Sequence, residues 1–188
     1  QQLCVLDAAG TVHTERRVPH SGVGLQDMVG VLARLGAEPA RIGVAIEDGS
    51  FFRIPALVEA CDHARSATLH LIGLVGDGGV HAHDDHLIAL TRLAAERGVK
   101  RIAVHALMDG RDTPPRAGHG FVERLVPQLA GGARIASVSG RYYGMDRDRR
   151  WERTGRWYDA AFRGVGPMAQ DPLEVIRDSY TRDITDEF

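Results

Sequence analysis

Lysine is almost missing from this chain: of its 23 basic residues only Lys100 is a lysine, so arginine carries the positive charge. Arginine number then reflects general composition as much as chemistry, and only arginine positions are informative. Cysteine is as scarce. Cys4 and Cys61 lie far apart and match no metal-binding or redox spacing, so they read as two reduced, packed thiols, with a disulfide between them as the alternative. No apolar run approaches the roughly 18 residues of a membrane span. The first residues show no basic-then-apolar leader pattern, and a cytoplasmic location is expected. Charge of one sign is lacking too, since a net charge of −2 gives no overall pull toward nucleic acid or membrane.

What the 188 residues do contain is an ordinary balance of apolar and charged side chains, enough for one domain with extra terminal elements. Three apolar runs stand out, LHLIGLV from Leu69, RIAVHALM from Arg101 and ARIASVS from Ala133, each starting 32 residues after the one before. That spacing accommodates a strand, a loop and a returning helix. Right-handed crossovers then make the strands parallel neighbours, with their three following loops on the carboxyl edge of one sheet, where open α/β sheets bind ligands. The expected fold is α/β, a three-layer αβα sandwich with a mainly parallel sheet.

Between these runs the pattern turns helical. Helices are expected over Leu25–Leu35, Arg41–Glu47, Pro55–Arg65, from about Leu87 to Gly98, over Gly118–Ala130, Arg150–Phe162 and from Pro172 to about Tyr180. The Arg150–Phe162 stretch carries Trp151, Trp157, Tyr158, Ala161 and Phe162 at roughly helical spacing, which predicts core packing. LCVLD and the residues after it read as a strand or short hairpin at a sheet edge. The final TRDITDEF offers no cap or packing signal, and its abrupt end reads as that of a fragment.

The three loops share one chemical character. They bring Asp77, His81, Asp109, Arg111, Asp112, Arg141 and Arg147 to the same edge, a set suited to a small polyanion. GDGGVHAHDDH holds a His81-x-His83 pair with Asp84, Asp85 and His86 behind it, open to two readings: ligands of a metal-dependent hydrolase, or the acidic first turn of the next helix. His105, inside an apolar strand, reads as a hydrogen-bonded core histidine. In DGRDTPP two prolines stiffen a turn that carries an arginine between two aspartates; it is either an anion grip with a proton-exchanging carboxylate or a local salt bridge. SGRYYGMDRDRRWER suits phosphate or carboxylate recognition, while its interleaved Asp146, Asp148 and Glu152 argue against a nucleic-acid backbone.

LIGLVGDGGVHAHDDHL, VHALMDGRDTPP and VSGRYYGMDRDRRWER resemble, in order, the signatures of cofactor-independent (2,3-bisphosphoglycerate-independent) phosphoglycerate mutase, and RIGVAIEDGSFF resembles the segment before them. The resemblance runs from about Arg41 to the end. It implies that residues 41–188 are the phosphotransferase, substrate-binding domain of an isomerase of glycolysis and gluconeogenesis. Residues 1–40, poorly matched, are expected to pack on the same domain. By motif position, His81, Arg111, Asp112, Arg141 and Arg147 are implied as substrate residues, with Asp112 as the general acid and base on the glycerate hydroxyls. The resemblance further implies an alkaline-phosphatase-like domain with a serine nucleophile and two manganese ions. That domain is the implied partner, and 3-phosphoglycerate and 2-phosphoglycerate are the implied ligands; neither nucleic acid nor membrane is expected.

The departures from the family are specific. No TSEVGH-like nucleophile segment and no phosphatase-type metal-ligand set is found, and Gly76 and Ala82 stand where serines are common. This chain therefore brings no cofactor or metal site of its own, and mutase turnover by it alone is not expected. A domain of a larger isomerase is one reading; a free-standing small-anion-binding module without catalysis is the alternative.

Overall fold

A computed structural model describes residues 46–188 throughout and, ahead of them, the backbone of two strands, β1 (Gln2–Leu6) and β2 (Val12–Arg17). These pair antiparallel as the hairpin-like start that the sequence predicts, although in a two-stranded sheet of their own instead of at the edge of a larger one. The helix expected over Leu25–Leu35, most of the one over Arg41–Glu47, and the Cys4 thiol lie outside the described residues.

After a turn of 3-10 helix at Phe51–Arg53, Pro55 opens α1 (Pro55–His63) from the first-turn position where its missing N–H costs nothing. Strand β3 (Leu69–Val75) leads to α2 (Asp84–Glu96), and β4 (Ile102–Met108) leads to α3 (Gly118–Leu125). Strand β5 (Arg134–Gly140) runs straight into one helical turn, α4 (Arg141–Gly144), and then come α5 (Trp151–Arg163) and α6 (Pro172–Thr181). Asp171 caps α6 by accepting a hydrogen bond from Leu173 N at 2.9 Å. Helix α3 is shorter than its apolar pattern predicts. Pro127 lacks the N–H a continuing helix needs, and the chain tightens into a 3-10 turn at Val126–Gln128.

The sheet is parallel in the order β3-β4-β5, with β4 buried in the middle. Its pairing with β5 is in step except between Val104 and His105, where β5 slips past one residue, Ala136. Side chains alternate across the sheet. Val75, Ala106 and Met108 pack against Phe121, Val122 and Leu125 of α3 and Ile176 of α6, while Leu74 and Leu107 point the other way onto Trp157 of α5. Helices thus cover both faces. Of the aromatic set on α5 only Trp157 is buried; Trp151, Tyr158 and Phe162 keep large exposed areas, so core packing accounts for one of these rings and not for all.

Histidine 105 sits in this core as expected. Its Nδ1 lies 2.8 Å from Ser137 Oγ on β5, its Nε2 lies 2.9 Å from His70 Nδ1 on β3, and Phe162 stacks on its ring. Cys61 is a free, buried thiol, and burial, with the neighbouring Asp62 carboxylate, pushes its pKa up. No helix among the described residues is long and apolar enough to cross a membrane.

Candidate functional site

All three parallel strands end on the same edge, and the loops after β4 and β5 meet there through one carboxylate. Asp109, the first residue past β4, turns its buried Oδ1 back to accept from the main-chain N–H of Arg111 at 3.1 Å and of Asp112 at 3.0 Å. The same oxygen accepts from Nη1 of Arg141 at 2.7 Å. This Asx-type turn fixes the DGRD loop before any ligand arrives. Burial raises the Asp109 carboxyl, but the hydrogen bonds from Asp112, Arg141 and Arg111 outweigh it and hold the pKa below the usual carboxylate value.

Nη1 of Arg141 also donates to Asp112 Oδ2 at 2.8 Å. The Arg141 side chain is only 11% exposed. Its desolvation alone would favour the neutral form; bonds to Asp112 and Asp109 more than compensate and keep the guanidinium charged. On the other side of Asp112, His81 Nε2 stands 3.8 Å from the same Oδ2, half-exposed at the end of the glycine-rich loop after β3. One carboxylate therefore lies between a buried, permanently charged arginine and an accessible imidazole. Such a placement suits a group that exchanges a proton with a bound hydroxyl.

Arg111 does not pair with either aspartate beside it. Its Nε donates to Oε1 of Glu187 at 2.5 Å, and its Nη2 lies 2.5 Å from the same oxygen in an ion pair that spans 76 residues. The local salt bridge that DGRDTPP alone permits is thus replaced by long-range ones, from Arg111 to Glu187 and from Arg141 to Asp109 and Asp112. Arg147 stands apart: it lies exposed on the loop after α4, and among the described residues no ion pair or hydrogen bond joins it to the cluster. That loop is nevertheless ordered by its neighbours. Asp146 accepts from Arg150 N at 2.8 Å and pairs with Arg153 at 3.3 Å, and the Arg153 guanidinium lies 3.8 Å from the centre of the Tyr142 ring. Asp77 is exposed and likewise makes no ion pair among the described residues.

The His-x-His motif takes its helix-opening role. His83 caps α2, its Nδ1 accepting from Asp85 N at 3.3 Å, and Asp84 accepts from Gly76 N at 2.7 Å while burial pushes its carboxyl up. Among the described residues no three His, Cys, Asp or Glu side chains converge as metal ligands would.

Sequence reasoning missed the acidic pair at the end of the chain. TRDITDEF was expected to cap nothing, yet Asp186 is buried and accepts from Gly118 N at 2.8 Å, at the start of α3, and from the Tyr180 hydroxyl. Glu187 carries the bond to Arg111, and its carbonyl oxygen accepts from Tyr142 N at 2.9 Å. These partners are 68 and 76 residues distant in sequence, beyond any local spacing rule. The one available signal was two acids beside an aromatic in a stretch otherwise without structure.

Comparison with known proteins gives the family of the chain. The family model described as "BPG-independent PGAM N-terminus" matches residues 42–188. The chain belongs to that family. It is 56% identical over 155 residues to a 2,3-bisphosphoglycerate-independent phosphoglycerate mutase of Thermomicrobium roseum, covering 79% of this chain and 29% of that protein. It is 49% identical over 196 residues to the mutase of the same name from Moorella thermoacetica, covering 96% of this chain and 38% of that protein. The second match reaches into the first forty residues. Among solved structures, a phosphoglycerate mutase of Leishmania mexicana, crystallised at low cobalt concentration, matches with a TM-score of 0.73 and 34% identity. That match covers 80% of this chain and 30% of the Leishmania one. The family and the α/β fold expected from the motifs are both borne out, and the chain spans well under half the length of the relatives it matches.

Proposed function

We propose that this chain is the substrate-binding part of a 2,3-bisphosphoglycerate-independent phosphoglycerate mutase and holds the glycerate during interconversion of 3-phosphoglycerate and 2-phosphoglycerate. The observation that carries the reading is the Asp112 carboxylate, set 2.8 Å from Arg141 and 3.8 Å from His81 at the carboxyl edge of the sheet, in a chain of this family.

Each residue has a task in this reading. Arg141 holds Asp112 in place; Asp112 takes a proton from one glycerate hydroxyl and returns it to the other. His81 and Arg111 supply donors to carboxylate or phosphate oxygens. Arg147, free of the cluster, reaches the ligand from the exposed loop. Residues 41–188 act as this substrate domain. In this reading the two manganese ions and the phosphoryl-accepting serine belong to the phosphatase-like part of the larger enzyme, which is the partner of this domain in the cytoplasm. Glycolysis and gluconeogenesis are the setting.

Calorimetric titration of 3-phosphoglycerate into the chain tests the reading, with Arg141→Ala and Asp112→Ala alongside. Saturable binding lost in both variants is expected. Binding that survives both substitutions, or none at millimolar ligand, overturns these residues as the glycerate holder in this chain. Inorganic phosphate bound as tightly as 3-phosphoglycerate would favour a general small-anion module instead.

A further inference from the structure

A guanidinium offers a planar anion two paired edges, the Nε/Nη2 side and the Nη1/Nη2 end. At Arg111 the side edge is already occupied, because Nε donates to Oε1 of Glu187 at 2.5 Å and Nη2 lies in ion-pair contact with the same oxygen at 2.5 Å. What remains is the end edge, on a side chain that is still 50% exposed. Glu187 itself is largely withdrawn from solvent, with 20% of its side chain exposed. The acid is thus held by the fold and the arginine is held by the acid.

The hold on Glu187 is built from several sides. Its neighbour Asp186 is anchored by Gly118 N and the Tyr180 hydroxyl, and Asp186 N donates to Pro115 O at 2.9 Å. Tyr142 N donates to the Glu187 carbonyl, and the Phe188 ring packs on that of Tyr142 with centres 4.7 Å apart. The bed beneath is made of glycine. A Cβ on Gly140 would collide with the Glu187 carbonyl, and one on Gly118 would stand 2.6 Å from an Asp186 carboxylate oxygen. Side chains at these two places would lift the strap from the strand ends.

We propose that Glu187 is a positioning residue for anion capture: it locks the side edge of Arg111 so that the guanidinium meets an incoming carboxylate or phosphate end-on. The strap from Asp186 to Phe188 is the device that keeps the acid there. The inference rests on the proposed function only for the identity of the ligand. A fixed donor loses less freedom when the anion arrives, and loss of the lock should weaken binding about tenfold, the scale of a charge-assisted hydrogen bond.

The test uses the whole chain with two independent readouts. The first is hydrogen exchange at Arg111 Nε–H, followed by nitrogen-15 NMR without ligand and assigned by its absence in Arg111→Lys. Slow exchange in the wild type and fast exchange in Glu187→Ala are expected, with Glu187→Gln between them because its amide oxygen still accepts. The second is titration with 3-phosphoglycerate, where Glu187→Ala should bind about tenfold more weakly and add nothing to the loss in an Arg111→Ala background. Circular dichroism of each variant shows whether it folds.

Exchange at Arg111 that ignores Glu187 overturns the proposal, as does tighter binding by Glu187→Ala, which would make the acid a competitor for the anion. A wild type that protects Arg111 through Glu187 but ignores 3-phosphoglycerate sinks the ligand assignment and leaves the lock standing.

Discussion

Gly78 lies so close to the main chain of Asp112 that a Cβ built on it would stand 3.0 Å from the Asp112 carbonyl oxygen and 3.2 Å from its Cβ. The loop after β3 is thereby seated on the loop after β4, which brings His81 within reach of Asp112. Gly78→Ala should cost about 1–3 kcal/mol by overpacking and displace Asp112 as it does so. Chemical denaturation gives the first effect, and a fall in affinity for 3-phosphoglycerate gives the second. Unchanged affinity would mean that the loop adapts without moving the carboxylate.

Arg141 separates charge from shape. Arg141→Ala strands the buried Asp109 carboxylate, and the expected loss is about 3 kcal/mol. Because one nitrogen serves both aspartates, the single ammonium of Arg141→Lys can be shared in the same way and should recover part of that stability. Ligand affinity should not return with it, since the planar fork is gone. Denaturation and titration of the two variants, compared side by side, check the split.

The Asp186 anchor predicts a graded series. Asp186→Ala leaves the Gly118 N–H and the Tyr180 hydroxyl without their acceptor and should destabilise by about 2–3 kcal/mol, whereas Tyr180→Phe removes the bond to Asp186 and the longer one from His119 N and should cost about 1–2 kcal/mol. Burial, helped by the bond to Asp186, pushes the Tyr180 hydroxyl up to about 12, so it remains a neutral donor over the working range. Equal losses in the two variants would argue that Gly118 is satisfied some other way.

His105 makes stability depend on pH in one direction. Burial, and after it the neighbouring His70, lowers its pKa from the ordinary value of 6.5. The unfolded chain therefore binds the proton more readily than the folded one. The contribution of the neutral ring is complete above pH 6.5 and is lost as pH falls from there toward the lowered folded value. The groups facing it are His70 from β3, Ser137 from β5 and the Phe162 ring from α5. His105→Gln should flatten the slope of unfolding free energy between about pH 7 and pH 5. Identical slopes in the two proteins would show that this ring does not titrate on unfolding.

The strands were legible because each is a short apolar run that ends in glycine and acid, and the equal spacing of the three fixed their parallel order. The same pattern located Asp112, Arg141 and His81 on one edge. Apolar periodicity carries the expected α3 past Pro127, whereas the missing N–H of that proline ends the helix at Leu125. The bond from Glu187 to Arg111 could not be read, because side-chain spacing rules reach a few residues and this contact spans 76. The partner of Arg141 was hidden for a related reason. Asp109 and Asp112 look equivalent in sequence, and only the turn that Asp109 makes with its own backbone shows that it organises the loop while Asp112 faces outward.

The slipped residue in β5 sets the phase of everything beyond it. Before the slip Val104 is opposite Ile135, and after it His105 is opposite Ser137 and Met108 opposite Gly140. Had the two strands stayed in step, Met108 would face Ser139, and Arg141 would arrive one position late with its side chain on the opposite face of the pleat. The meeting of Arg141 with Asp109 is therefore decided several residues earlier, at Ala136 within β5. A strand that kept perfect time would carry the same arginine past its aspartate.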